Sequence, residues 1–183
     1  MANRNVDKGR EAENAVAKVL QDHGMTHAER RAKRGGTVLL DCAECQGTGH
    51  DYVRNVNGGH APCDGRGYVR VPADAGDLTG VPGVVVQVKW SGYKSLAADM
   101  LRTEQQRRVA GADVGLLVRK RQGVGCGRAG EWDAYLPQRA VAWLMHAAEP
   151  VNGGPLRHEA VWHTDLDTAA ALLATAGYGG PGS

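Results

Sequence analysis

Three residues in the middle of the chain have the types and spacing of a phosphate-cleaving site: Asp77, Gln87 and Lys89. Gln87 and Lys89 lie in Val84-Val85-Val86-Gln87-Val88-Lys89-Trp90, where β-branched residues dominate and a strand is expected. Side chains alternate along a strand, so Gln87 and Lys89 share one face. Val84, Val86 and Val88 share the other and bury against the core. A polar pair on an otherwise apolar strand is costly unless it is exposed or employed. Asp77, in Gly76-Asp77-Leu78-Thr79-Gly80, starts a short strand that turns at Val81-Pro82-Gly83 into the first. That hairpin can set Asp77 beside Gln87 and Lys89 at one sheet edge. An Asp and a second oxygen ligand can hold a hard divalent cation, and Mg²⁺ suits them, with Mn²⁺ as a substitute. The lysine can orient or deprotonate an attacking water and offset phosphate charge. The same residues also fit a half-buried strand with a solvated lysine and no chemistry.

A second constellation is built for a different metal. Cys42-Ala43-Glu44-Cys45-Gln46-Gly47-Thr48-Gly49 is followed, after a spacer, by His60-Ala61-Pro62-Cys63-Asp64-Gly65-Arg66-Gly67. Two half-motifs, each with ligands three positions apart, suit a tetrahedral structural Zn²⁺ held by Cys42, Cys45, His60 and Cys63. His50 competes with His60, which keeps the two-residue gap to Cys63. With four protein ligands no position is open for catalysis. The glycines allow tight turns, and a segment this short and polar needs metal to fold. Each half resembles the cysteine-rich repeat of J-domain co-chaperones, with one Cys replaced by His60. That resemblance covers this module alone, and no His-Pro-Asp signature accompanies it. Tyr52-Val53-Arg54 and Tyr68-Val69-Arg70 are expected to be flanking hairpin strands.

The rest of the chain sets the frame. Its 183 residues suit one domain of ordinary size with room for an appendage. Hydrophobic residues make up 42%, and with no Phe the aliphatics and four Trp must fill the core. A net charge of +2 gives no global signal for nucleic acid, so any such signal must be local. No apolar run approaches the ~20 residues needed to cross a bilayer. The polar N-terminal ten residues lack a signal-peptide apolar region, so a cytoplasmic protein of a bacterial or phage-infected cell is expected. Four cysteines in a reducing compartment favour metal over disulfides. Cys126 has no partner at metal spacing and reads as a bystander thiol.

Residues 8–24 read as a helix ended by Gly24, with Ala12, Val16, Val19 and Leu20 as its apolar stripe. The helical period turns Glu13 toward the core and Glu11 toward water, although acids in a first turn are often only dipole partners. His27 to Gly36 begins as an edge strand and ends as a basic loop. Arg30, Arg31, Lys33 and Arg34 there can grip phosphates or simply keep an edge soluble. A helix from Ser95 to Ala110 follows, with Leu96, Met100, Leu101 and Val109 on its core side. Glu104 and Gln105 read as surface residues. Val114–Val118 is a buried strand ending in Arg119-Lys120-Arg121, a basic cluster that could touch DNA. A Gly-rich loop (122–130) and a strand Trp132–Leu136 come next. Pro137 opens a helix to about Ala147, a strand is expected at 159–163, and Thr164 or Asp165 caps a last helix to Ala176. His146, His158 and His163 have no ligand spacing. The tail from Gly177 reads as disordered.

Asp77, Gln87 and Lys89 occupy the three motif positions of the PD-(D/E)XK nuclease superfamily, which this pattern resembles. Gln87 stands where the family usually has Glu or Asp. Lys8-Gly9-Arg10-Glu11-Ala12-Glu13 is similar to the Gly-x-x-x-Glu opening of phage-type Holliday junction resolvase-like members, with Glu13 in the Glu position. The resemblance covers residues 8–37 and 74–136. It implies an α/β fold with a mixed central sheet flanked by helices (a restriction-endonuclease-like core). The core would comprise 1–37 and 74–147, interrupted by the zinc module at 38–73 and followed by a strand–helix extension at 148–183. It also implies Mg²⁺ held by Asp77, Gln87, Glu13 and the Val88 carbonyl, Lys89 beside the attacking water, and a homodimer that cuts branched DNA. Two other readings remain open: a zinc-containing DNA-binding protein without catalysis, and a nuclease acting on linear duplex.

Overall fold

The computed structural model describes residues 4–31, 37–41, 68–72, 76–90, 95–146 and 160–178. Helix α1 (Arg4–Asp22) comes first, then strands β1 (Glu29–Arg30), β2 (Thr37–Asp41), β3 (Tyr68–Pro72), β4 (Leu78–Thr79) and β5 (Val84–Lys89). Helix α2 (Leu96–Ala110), strand β6 (Val114–Arg119), a short 3-10 helix (Cys126–Glu131) and strand β7 (Asp133–Pro137) follow. Helix α3 (Gln138–His146), strand β8 (Val161–Asp165) and helix α4 (Leu166–Thr175) complete the chain.

The protein is mixed α/β. Its central sheet has the order β5-β6-β7-β8, in which β5 and β6 are parallel and the remaining pairs antiparallel. The parallel pair is joined by α2, as such pairs require a crossover. β1 and β4 form a separate antiparallel pair. A backbone bond from Asp77 N to Val86 O, 2.8 Å, ties that pair to the free edge of β5. β2 and β3 pair antiparallel from Thr37↔Pro72 to Asp41↔Tyr68, so both ends of the segment 42–67 leave from one end of a hairpin. Tyr68-Val69-Arg70 is a strand as expected. Tyr52-Val53-Arg54 and the zinc ligands Cys42, Cys45, His60 and Cys63 lie outside the described residues, as do Lys33 and Arg34.

The two faces of the sheet are covered differently. Val84, Val86 and Val88 of β5 and Val114, Leu116 and Val118 of β6 join one apolar cluster with Ala12, Val16 and Leu20 of α1. Ala140, Val141 and Leu144 of α3 and Leu166, Ala169, Ala170 and Leu173 of α4 complete it. β8 and α4, placed by sequence in an extension, are thus built into the sheet and its core. Trp132, fully buried, supplies the bulk that a chain without Phe needs. β8 begins two residues later than expected, and Pro137 ends β7 rather than opening α3. Asp165 caps α4, its Oδ1 accepting from Thr168 N at 2.7 Å.

α2 lies against the other face of β5 and β6, and it corrects the expectation most clearly. Its ends are legible: Ser95 caps the start, and Gly111 at φ 61° closes the end. Its buried side is not. Leu101 is 52% exposed, while Asp99, Met100, Thr103, Glu104 and Gln106 face inward. Polar residues can be buried only when partnered. Asp99 receives Arg119 Nη2 at 2.6 Å, and Glu104 receives Arg107, Arg108 and Arg139. Glu104 is therefore the centre of a buried ion cluster and not a surface residue.

Burial alone would push the Glu104 carboxyl up. The Arg107 hydrogen bond and the charges of Arg107, Arg139 and Arg108 outweigh it and hold the group below the usual carboxylate range. A depressed folded pKa adds stability above the unfolded value of about 4.3 and loses it as pH falls through the folded value. Glu104→Gln should cost about 3 kcal/mol near neutral pH by removing the one buried negative charge that Arg107, Arg108 and Arg139 share. Denaturant titrations should also show a shallower acid-side loss of stability than in the parent chain.

Candidate metal and phosphate site

The site grows from the edge of β5 that faces the β1–β4 pair. Gly76, at φ 94°, turns the chain so close to β5 that a Cβ there would sit 2.7 Å from Val86 O. Only glycine adopts that backbone without strain, and it delivers Asp77 edge-on to the strand. Asp77 N then donates to Val86 O, and Asp77 O accepts from Arg31 N at 2.9 Å. The Asp77 carboxylate is pinned by the same edge: Oδ2 accepts from Val88 N at 2.7 Å and from Gln87 Nε2. Asp77 and Gln87 are buried, at 7% and 3% exposure.

Strand geometry places the Val88 carbonyl. Lys89 O accepts from Lys120 N at 2.9 Å on the β6 side. Successive residues of a strand alternate their backbone groups between its two edges, so the Val88 N–H and C=O both point to the Asp77 edge. Lys89, half-buried, follows directly and projects to the α2 face with Gln87. Glu13 approaches from the opposite face. It is buried at 8% while Glu11 is exposed, as the helical period requires. Its Oε2 lies 3.9 Å from Arg30 Nη1, and Arg30 pairs with Leu78, the residue after Asp77. Asp77, Gln87 and Val88 are thus brought into direct contact, with Lys89 next in the strand and Glu13 bordering them through Arg30.

One atom of this group is unsatisfied. Gln87 Oε1 is buried and has no hydrogen-bond partner among the described residues. A buried amide oxygen left alone costs about 1–3 kcal/mol, and a hard cation is a partner suited to it. The donor set of Asp77 carboxylate, Gln87 amide oxygen and Val88 carbonyl fits such an ion. Among the described residues no three His, Cys, Asp or Glu side chains gather as metal ligands. Here two of the oxygens belong to an amide and to the main chain.

The expected DNA-contacting cations divide. Arg30 and Arg31 border the site, Arg30 engaged with Glu13. Arg119 corrects the expectation: it is 7% exposed and bound to Asp99, so it faces inward under α2. Lys120 is half-buried, its ammonium 4.9 Å from the Trp90 ring centroid and 5.9 Å from that of Trp132. Cys126 lies near Glu11, and burial, then the Glu11 hydrogen bond and charge, push its thiol up. An open groove of about 480 Å³ lined by Arg121, Arg128, Glu131, Asp165 and Asp167 shares no residue with the site. Among the described residues no helix is long and apolar enough to cross a membrane.

Sequence reasoning passed over two features here. Gly76 aims Asp77, and the Gly-Asp pair was its available signal. Trp90 stands between Lys8 and Lys120, and adjacency to Lys89 was the signal there. No protein-family model, curated protein or solved structure matches the chain. The class of protein is therefore defined by its own architecture: a mixed α/β sheet with an acid–amide–carbonyl cluster on the edge of a parallel strand.

Proposed function

We propose that the chain is a metal-dependent endonuclease that hydrolyses DNA phosphodiesters, with branched DNA as its substrate. The observation that carries this reading is the buried Gln87 Oε1, unpartnered among the described residues, on the side chain whose Nε2 donates to Asp77. The order of elements supports it: the antiparallel β1–β4 pair is tied to the edge of β5 by the Asp77 N to Val86 O bond, α2 crosses over, and β6 returns parallel to β5. That is the order expected of a PD-(D/E)XK core.

Asp77, Gln87 and Val88, with Glu13 from the opposite face, would hold a divalent cation, Mg²⁺ or Mn²⁺. When bound, that cation supplies charge neutralisation at the phosphoryl oxygens and a water of lowered pKa. Asp77 contributes the negative charge of the edge, while Gln87 and Val88 contribute neutral oxygens. Lys89 orients the attacking water and offsets charge on the phosphate. Arg30 and Arg31, with Lys33, Arg34 and Lys120, contact the backbone of the substrate. Cys42, Cys45, His60 and Cys63 would hold a structural Zn²⁺. Metal analysis should find about one zinc per chain, lost in Cys63→Ala. A homodimer would account for paired cuts.

The decisive assay compares a labelled four-way junction with matching linear duplex, in Mg²⁺ and in EDTA, using the parent chain and Lys89→Ala. Paired cuts in the junction alone, dependent on Mg²⁺ and lost in the variant, are expected. Equal cutting of both DNAs would keep the nuclease and remove the junction preference. A second reading draws on the Gln87 Nε2 hydrogen bond to Asp77, which satisfies the carboxylate without metal. On that reading the protein binds DNA without cutting it. Tight binding with no cleavage in either Mg²⁺ or Mn²⁺ would select it.

A further inference from the structure

The central sheet ends at β8, and that edge is unguarded. β8 is the last strand in the order β5-β6-β7-β8, and among the described residues no strand pairs with its far side. The ladder with β7 fixes which of its groups face outward. Gln138 N donates to Ala160 O at 2.9 Å, and Leu166 N donates to Trp132 O at 2.8 Å. By alternation, Trp162 and Thr164 turn their main-chain groups to β7, while Val161, His163 and Asp165 turn theirs away from it. Tyr135 and His163 are thus a non-hydrogen-bonded pair, close enough to stack with ring centroids 4.7 Å apart and planes 14° from parallel. Soluble proteins blunt an open edge with lysine, proline, a bulge or a cover. Val161-Trp162-His163-Thr164-Asp165 has no lysine or proline, and its register against β7 is unbroken. Val161 and His163 are exposed. Among the described residues the exposed large apolar side chains are Val6, Leu101, Met145 and Val161. Val161 lies on this edge and Met145 on α3, which packs against β8.

The edge is complementary to itself. A second copy laid antiparallel and centred on His163 would set His163 against His163, and Val161 against Asp165 in both directions. Each copy would donate His163 N–H and Asp165 N–H, and accept at His163 C=O and Val161 C=O. No carboxylates meet, because Asp165 faces a valine. Strands in a sheet lie about 4.8 Å apart, close to the spacing of the Tyr135–His163 stack. The row of rings would therefore continue across the two-fold axis, from Tyr135 and His163 of one copy to His163 and Tyr135 of the other. An extended peptide could fill the main-chain bonds, but a second copy also supplies the ring that continues the stack. We infer that β8 is a homodimer interface, where two copies pair β8 with β8 antiparallel about His163 and join their four-stranded sheets into one. This rests on the homodimer of the proposed function and gives it an interface; the cleavage chemistry is independent of it.

The test follows the mass of the full chain, with zinc retained, by sedimentation over a dilution series, alongside His163→Lys and His163→Pro. The lysine variant sets like charges directly opposite across the two-fold axis. The proline variant removes an N–H that β7 does not use, so the ladder within the chain stays while the second copy loses its donor. The parent chain should be a dimer at micromolar concentration. Both variants should dissociate at least tenfold more readily, with Tm within about 3 °C of the parent. If His163→Pro fails to fold, His163→Lys decides. A folded variant that dimerises as tightly as the parent would place the interface elsewhere and overturn the inference. So would a parent chain that stays monomeric at tens of micromolar, including one whose edge takes up an extended peptide instead. Junction cleavage is scored on the same samples. Cutting by a monomeric parent would keep the nuclease and remove this interface, whereas a β8 dimer that cuts no DNA would keep the interface and remove the nuclease.

Discussion

Asp77→Asn should lower Mg²⁺-dependent cleavage about 10³-fold, a barrier increase of about 4 kcal/mol. The fold should remain, because an Asn carbonyl oxygen can still accept the Val88 N–H that Asp77 Oδ2 now takes at 2.7 Å. What the variant removes is the negative charge at the β5 edge, where Asp77 is held by two neutral donors, the Val88 N–H and Gln87 Nε2. Single-turnover cleavage with saturating DNA measures the effect, and a Tm within about 2 °C of the parent confirms that the fold is intact. Activity within tenfold of the parent would rule out Asp77 as the anchor. Gln87→Glu is the informative companion. In EDTA two buried carboxylates would face each other, and like charges at that distance disfavour folding. Its Tm should fall in EDTA and recover with Mg²⁺, and the Mg²⁺ concentration needed for cleavage should drop. A Tm that ignores Mg²⁺ in this variant would place the cation elsewhere.

Gly80→Ala should be the most damaging single methyl addition in the described fold. Gly80 sits at φ 80°, and a Cβ there would lie 1.7 Å from His27 O and 2.4 Å from His27 C. No rotamer relieves a clash with backbone, so the β1–β4 pair must separate. That pair aligns Arg30 with Leu78 and receives Asp77 O at Arg31 N, so the candidate site should fail with it. A cost of about 3–5 kcal/mol is expected, which for a chain of this length lowers Tm by about 10 °C. Gly111→Ala is the control. Gly111 is also left-handed, at φ 61°, but no described atom lies within 4 Å of its Cβ position. Backbone strain alone applies there, about 1 kcal/mol. Equal Tm losses in the two variants would mean that the His27 contact contributes nothing.

Local pattern carried far in this chain where the rule is local. The stripe Ala12, Val16, Leu20 specified α1 and separated buried Glu13 from exposed Glu11. β-branched runs specified β5 and β6; Ser95 and Asp165 marked helix starts by their side-chain hydrogen bonds, and Gly111 marked a helix end by its left-handed backbone. The Asp77–Gln87 pairing was also legible, because a tight hairpin leaves few registers. α2 was misread since its inward side is polar: hydrophobic periodicity cannot show that Asp99 will meet Arg119 twenty positions later, or that Arg139 will reach Glu104 from α3. Arg119 was read as surface for the same reason.

The amino-acid sequence by itself determined the main helices, the strands β5 to β8 and their order, the face that β5 residues take, and the candidate trio of Asp77, Gln87 and Lys89. These follow from steric and solvation preferences that act within a few residues. Only the tertiary structure decided which charges are spent inside, that β8 and α4 complete the core, that Gly76 and Gly80 are held against neighbouring backbone, and that Gln87 Oε1 is left buried without a partner among the described residues. Those outcomes depend on contacts between residues distant in the chain, and the free energy of a buried charge or amide is set by whatever the fold places opposite it.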